Sequence, residues 1–286
     1  MATEEPPAVA FYEPLGDGRF AGTPATAGPW APEFQHAGPV SALLGRAFER
    51  HDPRPGGRVG RVTVEILGPV PVAPLRVTTR VARPGKRVAL LEGELSHEGR
   101  AVARATAWRI AAAPEGLEPI ENAPMPPPPP LSGWPPPLSG SAPPLPGSAP
   151  APALFEGWAG MHLDGYLSSM EWRFVRGSFS QPGPGEVWAR AKIPLVAGEA
   201  DTPLVRTLVL ADSASGVGSQ IDFAKWLVIN TDLTVALHRD PVGEWLFMSA
   251  RLHASPGGSA LAESTLADAS GSYGRGLQTL LVDTQP

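Results

Sequence analysis

The chain has 286 residues, of which 42% are hydrophobic and 18% charged, so it can bury a core and is not composed like a disordered protein. Its formal net charge is -5, which argues against nucleic acid as a partner, because a phosphate backbone selects basic surfaces. The absence of cysteine excludes disulfides, thiolate nucleophiles and cysteine-based metal sites.

The sequence shows no targeting or membrane-spanning signal. The segment MATEEPPAVAFYEPLG lacks a basic region followed by an apolar run, and no stretch of 18 apolar residues occurs. We therefore expect a cytoplasmic protein without a membrane span. The six histidines have no close ligand spacing and the glycine motifs of nucleotide-binding loops are missing, so we expect neither a metal nor a cofactor.

The first half predicts one helix followed by four strands. Residues 38–51 carry apolar side chains at the spacing of one helical face. Turn signals such as Pro84-Gly85 separate the runs that have strand composition. These runs are 61–67, 73–84, 87–99 and 100–111.

A proline-rich segment divides the chain. Of the 29 residues from Pro124 to Pro152, 14 are proline, which lacks the N–H that a helix or a central strand needs. We interpret residues 116–153 as a connector between an N-terminal domain, 1–115, and a C-terminal domain, 154–286. The alternative is a ligand for a proline-binding module.

The second half repeats the order of the first. Residues 201–216 predict a helix, and the loop 67–75 matches 238–246 at a shift of about 170 residues. Four further strands are predicted at 226–239, 243–254, 259–270 and 275–282.

One helix followed by a four-stranded antiparallel meander, occurring twice, indicates the α+β class. The second helix is apolar nearly all round, which favours a curved sheet wrapped around it. We therefore predict a double hotdog, in which two tandem helix-wrapped antiparallel sheets form one pseudo-dimeric unit. Exposed sheet edges in such a fold tend to pair, so we also expect a homo-oligomer.

Polar and apolar residues alternate along the strand predicted at 226–239. Alternation places the apolar residues 233, 235 and 237 against the helix and the polar residues on the other face. At its start this polar row would come near the end of the second helix. We interpret Asp232 and Thr234 as facing solvent, whereas Asn230 could face either solvent or a site.

Asp212 and Gln278 are the polar residues whose positions suggest chemistry. Asp212 lies near the C-terminal end of a buried helix, where the macrodipole disfavours a carboxylate, and burial would raise its pKa towards that of a general base. The alternative is a solvated capping residue. Gln278 lies in an apolar strand, and a buried amide without partners costs about 1–3 kcal/mol, so it would orient a water or bond to neighbouring backbone.

Together these segments resemble the acyl-CoA thioesterases of the thioesterase II type, in their bacterial thioesterase-like branch. The resemblance covers residues 28–113 and 155–284. Its motifs are FQHAGPVSALLGRAFER at 34–50 in the first half and LADSASG, INTDLTVALHR, GEWL and GRGLQTLLV in the second half. The family places catalysis in the second hotdog, on an Asp, a Ser or Thr, and a Gln.

Carried over position by position, the resemblance implies Asp212 and Gln278 as two of these three residues. The Ser or Thr position falls on Asn230, which can hold a water but supplies no hydroxyl. Thr231 and Thr234 are alternates for the missing hydroxyl, although strand alternation points Thr231 to the opposite face.

Three further residues are candidates for substrate binding. His36 precedes the first helix, whose free N–H groups would polarise a thioester carbonyl, and a plain capping loop is the alternative. Gly38 is retained where the family has two glycines after the His, and Ala37 replaces the first. Arg239 would meet a CoA phosphate, or it simply ends a strand.

The resemblance implies hydrolysis of an acyl-CoA to a free acid and CoA, without metal or cofactor. The acyl chain would occupy a tunnel between helix and sheet in the second half, and the first half would be a degenerate copy. Two alternatives remain at this stage. They are a non-catalytic acyl-CoA or lipid-binding protein of the same fold, and an assembly module that acts through the proline-rich connector.

Overall fold

A computed structural model of the chain describes residues 8–118, 161–223 and 225–284. The first described range contains six strands and one α-helix, with a short 3₁₀ turn at Pro24–Thr26. These elements are β1 (Tyr12–Gly16), β2 (Arg19–Gly22), α1 (Ala37–Arg50), β3 (Gly57–Ile66), β4 (Pro74–Arg83), β5 (Val88–His97) and β6 (Arg100–Ala111).

The two later ranges repeat the arrangement with a broken helix and a broken strand. Two one-turn helices, α2 and α4, accompany the central helix α3. The elements are α2 (Tyr166–Ser169), β7 (Met170–Ser178), β8 (Gln181–Ala191), α3 (Pro203–Ala211), α4 (Ala214–Val217), β9 (Trp226–Asn230), β10 (Asp232–Leu237), β11 (Leu246–Ala254), β12 (Ser259–Asp268) and β13 (Gly271–Thr284).

The strands form one continuous antiparallel sheet with a pseudo-two-fold axis at its centre. The strand order is β1-β2-β4-β5-β6-β3-β10-β13-β12-β11-β8-β7, and β9 pairs with β13. The two halves therefore join through β3 and β10, where Thr63 lies opposite Thr234 and their hydroxyls are 3.1 Å apart. The difference between these two positions, 171 residues, relates the later strands of the two halves.

The two central helices pack against each other inside the curved sheet. The face of α1 that carries Gly38 and Gly45 meets α3, with Gly38 beside Val209 and Gly45 beside Leu208, so the helices run antiparallel. Both helices contribute to one apolar core, and α3 is buried nearly all round, as its composition predicted. This is the predicted double hotdog arrangement.

Several elements differ from the sequence prediction. The prediction missed β1, β2, β7 and β8, because these segments are short or interrupted by glycine and proline. In particular, β8 begins QPGPG, and its prolines lie at its start, where a strand tolerates them. The helix predicted at 201–216 breaks after α3, and a short turn separates it from α4.

The strand predicted at 226–239 contains a bulge, which corrects the predicted face of Asn230. Asn230 lies opposite Leu280 and Thr234 opposite Leu277, so four steps on one strand match three on its partner. Because side chains alternate, the extra residue turns Asn230 to the inner face, away from that of Thr234. The equivalent strand β3 shifts register at the same place, between Val59 and Arg61.

The connector predicted at 116–153 lies, apart from residues 116–118, outside the described residues. The domain boundaries drawn around it therefore remain predictions. None of the helices in the described ranges combines the length and the hydropathy of a membrane span.

The helix contact predicts different costs for two glycine substitutions. A Cβ at Gly38 would come within 2.4 Å of the backbone oxygen of Val209, whereas a Cβ at Gly45 would meet only the movable end of Leu208. We expect Gly38→Ala to lower the free energy of unfolding by about 2 kcal/mol, and Gly45→Ala to stay within about 1 kcal/mol of wild type. Urea denaturation of both variants checks this, and equal costs would contradict the close approach at Gly38.

Candidate active site

The site forms where the end of α3 meets the start of α1. Asp212 is the C-terminal cap of α3 and is only 4% exposed. His36 is the N-terminal cap of α1, and its Nδ1 lies 3.1 Å from Oδ2 of Asp212. The antiparallel packing of the two helices thus brings a residue of each half to one point.

Two amide side chains hold the other side of the Asp212 carboxylate. The Nδ2 group of Asn230, at the end of β9, donates to Oδ1 at 2.6 Å. The Nε2 group of Gln278, in the middle of β13, donates to the same oxygen at 3.0 Å and to the backbone oxygen of Asp212 at 3.1 Å. The structure thus brings together the three positions that the resemblance implied.

The two amides differ in how many of their hydrogen-bonding groups are already engaged. The Oε1 atom of Gln278 accepts from the backbone N–H of Ser215 at 3.2 Å, so both ends of this fully buried amide are engaged. Its geometry fits positioning of Asp212 better than the water-holding role expected from the sequence. Asn230 uses one N–H on Asp212, and its second N–H and its Oδ1 bond no side chain of the described residues.

The start of α1 contributes further donors to the carboxylate. The backbone N–H groups of Ala37 and Gly38 hydrogen-bond to Asp212, and Gly38 N–H also lies 3.0 Å from Nδ1 of His36. The N-terminal end of a helix carries partial positive charge, which favours an anion. These N–H groups, which we expected to face the substrate carbonyl, therefore bind the carboxylate in this structure.

Burial raises the pKa of Asp212 to about 7, although hydrogen bonds from Gln278, Asn230, Ala37 and Gly38 act in the opposite direction. Burial also lowers the pKa of His36 to about 3, so its imidazole is neutral near neutral pH. The His36–Asp212 contact is therefore not an ion pair. When Asp212 is protonated, its Oδ2–H can donate to Nδ1 of His36.

The other predicted residues lie elsewhere. Thr231 is exposed and bonds the backbone oxygen of Thr279, and Thr234 bonds Thr63 on the outer face, so neither alternate hydroxyl reaches Asp212. Asp232 accepts from the backbone N–H of Thr279 at 2.9 Å.

Arg239 belongs to a separate ion pair. Its guanidinium bonds both carboxylate oxygens of the buried Asp268 and the backbone oxygen of Gly271. It lies nine residues beyond Asn230, roughly 30 Å along an extended chain. This geometry indicates a structural role rather than the predicted contact with a CoA phosphate.

The first half does not repeat the site. At the offset of 171 residues, Ala107 stands in the position of Gln278 and Val59 in that of Asn230. Counted from the helix caps, Arg46 corresponds to Asp212, and it bonds Glu199 through two N–H groups at 2.6 Å. The three polar groups are therefore combined in the second half only.

Two surface pockets lie away from Asp212. One of about 550 Å³ lies on the outer face of β3 to β6, and one of about 190 Å³ lies between the end of α1 and the start of α3. Neither is the acyl tunnel that the sequence led us to expect. Among the described residues, no three His, Asp or Glu side chains are arranged to hold a metal ion.

Two contributors to the site were missed from the sequence. Ser215 acts through its backbone N–H, which leaves no sequence signal. Tyr166 stacks on the His36 ring with centroids 3.8 Å apart. Tyr166 follows the proline-rich segment, where no periodic pattern marked it.

Comparison with known proteins identifies the family. The acyl-CoA thioesterase N-terminal domain matches residues 26–110, and the acyl-CoA thioesterase C-terminal domain matches residues 137–282. The chain belongs to the acyl-CoA thioesterase family. Membership supports thioester hydrolysis as the class of reaction. A comparison with curated proteins gives no match.

Solved structures confirm the fold of the chain. A candidate thioesterase from Novosphingobium aromaticivorans is 20% identical over 96% of this chain and 100% of its own, with a TM-score of 0.70. A hot dog protein of unknown function from Alicyclobacillus acidocaldarius is 18% identical over 96% of both chains, with a TM-score of 0.68. Acyl-CoA thioesterase II TesB2 from Mycobacterium marinum is 16% identical over 96% and 97%, with a TM-score of 0.63.

The raised pKa of Asp212 predicts a pH-dependent stability. Its folded-state pKa of about 7 lies above the ordinary value of an Asp side chain. Between about pH 4 and 7 the folded state therefore binds more protons than the unfolded state, so the free energy of unfolding falls as the pH rises through this range. Relative to Asp212→Asn, we expect the wild-type free energy of unfolding to fall by on the order of 4 kcal/mol between pH 4 and pH 8.

Urea denaturation of both proteins at three pH values measures this difference. The Asn variant has the same shape and no titration at this position, so pH effects of other groups cancel. The pKa of His36 falls from its ordinary value to about 3 on folding, so His36 contributes an opposite pH dependence over part of this window, and this contribution is shared by both proteins. A constant difference between the two proteins would show that Asp212 titrates as an ordinary exposed carboxyl.

Proposed function

We propose that this protein hydrolyses acyl-CoA thioesters to a free carboxylic acid and CoA, with Asp212 as the general base for the attacking water. The observation that carries the proposal is a buried carboxyl whose pKa is raised to about 7 and which two amides and a helix start hold in place. Family membership supports the thioester as substrate.

The proposed reaction has two steps. The Asp212 carboxylate takes a proton from water while the water oxygen bonds to the thioester carbonyl carbon, which forms a tetrahedral oxyanion. The oxyanion then collapses, the C–S bond breaks, and the CoA thiolate leaves and takes the proton from Asp212. Because a thiolate is a good leaving group, no covalent enzyme intermediate is needed.

The residues around Asp212 divide the remaining work. Gln278 fixes the carboxylate, and the unused Oδ1 and N–H of Asn230 are suited to hold the water. Once Asp212 has taken the proton from water, Nδ1 of His36 accepts from Asp212 and from the N–H of Gly38, so the neutral ring carries its proton on Nε2, where it can donate to the oxyanion. The N–H groups at the start of α1 add to this stabilisation through the helix dipole.

Thiol release from a panel of acyl-CoAs tests the proposal. We expect Asp212→Asn to lower kcat by about 1,000-fold, because general-base catalysis contributes on the order of 10²–10⁴-fold. In the wild type, kcat/KM should rise with pH through about 7, where Asp212 loses its proton. This rise of kcat/KM with pH should be absent from the residual activity of Asp212→Asn.

The same assay separates the proposal from acyl-CoA binding without catalysis. Asp232→Asn serves as a matched control, since Asp232 lies on the same chain segment but bonds Thr279 rather than the site. We expect it to keep wild-type kcat. Binding of acyl-CoA without thiol release by the wild type would make the chain a binding protein, and equal activity of Asp212→Asn would remove the proposed base.

Asn230 gives a further test of the water site. We expect Asn230→Ala to lower kcat by about 10–100-fold, since it removes both the bond to Asp212 and the water-holding amide. Asn230→Thr should retain more activity, because a hydroxyl can bond Asp212 and a water. Steady-state kinetics of the two variants measure this, and identical losses would show that the position tolerates no polar substitute.

A further inference from the structure

We propose that Tyr166 is a positioning residue that fixes the His36 ring and the end of α3 relative to each other, and thereby limits the access of bulk water to Asp212. The inference deepens the proposed function and rests on it for the catalytic consequence. It stands on three contacts of Tyr166, described one by one below.

The first contact is with the His36 ring. The two rings are stacked, with centroids 3.8 Å apart and planes inclined by 9°. Tyr166 is fully buried, and His36 is 13% exposed. The phenol ring therefore covers one face of the imidazole, so the imidazole cannot rotate away from Asp212 without displacing a buried side chain.

The second contact is with the end of α3. The Tyr166 hydroxyl donates to the backbone oxygen of Val209 at 2.8 Å and lies 2.7 Å from Oγ of Ser213. The last carbonyls of a helix have no partner within the helix, so the hydroxyl satisfies one of them. Val209 and Ser213 flank the turn that carries Asp212, so Tyr166 restrains the backbone of the base.

The third contact ties both rings to one short segment of the first half. The backbone N–H of His36 donates to the oxygen of Thr26, and the N–H of Tyr166 donates to the oxygen of Ala27, both at 2.8 Å. Gly165 packs so closely on Ala27 that a Cβ there would meet its oxygen at 2.4 Å. Two consecutive carbonyls thus set the spacing of the stacked rings.

Packing around Tyr166 buries this side of the site. Trp172 packs edge-on against it at 6.1 Å, and Ser213 is 4% exposed. Burial is also the largest influence on the pKa of Asp212. Opening a gap at position 166 would therefore let water reach the carboxyl and bring its pKa towards the ordinary value.

Two variants separate the ring from the hydroxyl. Tyr166→Phe keeps the stacking but loses the bond to Val209, and we expect about a 10-fold fall in kcat with KM unchanged. Tyr166→Leu loses both the stacking and the hydrogen bond, and we expect kcat to fall by about 100-fold. The apparent pKa of its kcat/KM profile should move to lower pH by roughly one unit. If Tyr166 had a purely structural role, its substitution would reduce the fraction of active protein without changing this apparent pKa.

Tyr273→Phe is the matched control. Tyr273 is equally buried but lies on β13, five residues before Gln278, where its ring faces Arg239 and its backbone oxygen accepts from the N–H of His238. We expect its kcat and pH profile to match wild type. A comparable loss in this control, or wild-type kinetics in Tyr166→Leu, would overturn the proposed role of Tyr166.

Side-chain NMR of histidine tests the positioning without any activity. The chain has six histidines, and His36→Gln assigns the signal of His36. We expect its ring protons to be shifted upfield by the stacked phenol in wild type and in Tyr166→Phe, and the Nε2-protonated neutral form to persist at pH 5. Tyr166→Leu should lose the upfield shift.

The two readouts distinguish the failure of each idea. If wild type releases no thiol but His36 shows the upfield shift, the proposed function fails and the positioning by Tyr166 stands. If thiol release depends on Asp212 but His36 titrates near its ordinary pKa without the shift, the positioning fails and the function stands. Should Tyr166→Leu not fold, the kinetics of Tyr166→Phe and the His36 signal of the wild type still test the positioning by Tyr166.

Discussion

The site depends on two opposing electrostatic effects on Asp212, which lies where the ends of two antiparallel helices meet. The C-terminal end of α3 disfavours the Asp212 carboxylate, and the N-terminal end of α1 favours it. The two dipole contributions oppose each other, and four donors partly compensate for burial. The carboxyl therefore keeps a pKa of about 7, in the range expected of the general base that we propose it to be. Neither half of the chain could provide this environment alone.

The sequence predicted this site in part. Helical and strand periodicity located α1, α3 and the later strands of each half, and Asp212 and Gln278 stood out as polar residues in apolar elements. The face of Asn230 was predicted wrongly, because one extra residue in a strand changes no composition yet reverses the alternation after it. Contacts made by backbone groups, such as the N–H of Ser215, have no signature in side-chain type.

The duplication explains why a symmetric fold carries a single site. The pseudo-two-fold axis places the end of α1 beside the start of α3, so a second site was geometrically available. There Arg46 stands in place of the acid and bonds both carboxylate oxygens of Glu199. Val59 and Ala107 stand in place of the two amides, so the side chains that hold the Asp212 carboxylate have no polar counterpart at these two positions. The first half contributes the start of its helix instead.

Asn230 shows how a departure from the expected Ser or Thr can be accommodated. A hydroxyl has one proton, which it would donate to the carboxylate, so towards the water it could only accept. An amide that donates to Asp212 still has one N–H and a carbonyl oxygen, so it can both donate and accept. The bulge at Thr231 makes this possible, because without it the amide would lie on the outer face. The amide of Asn230 and the bulge at Thr231 therefore act together, since the bulge places the amide beside Asp212.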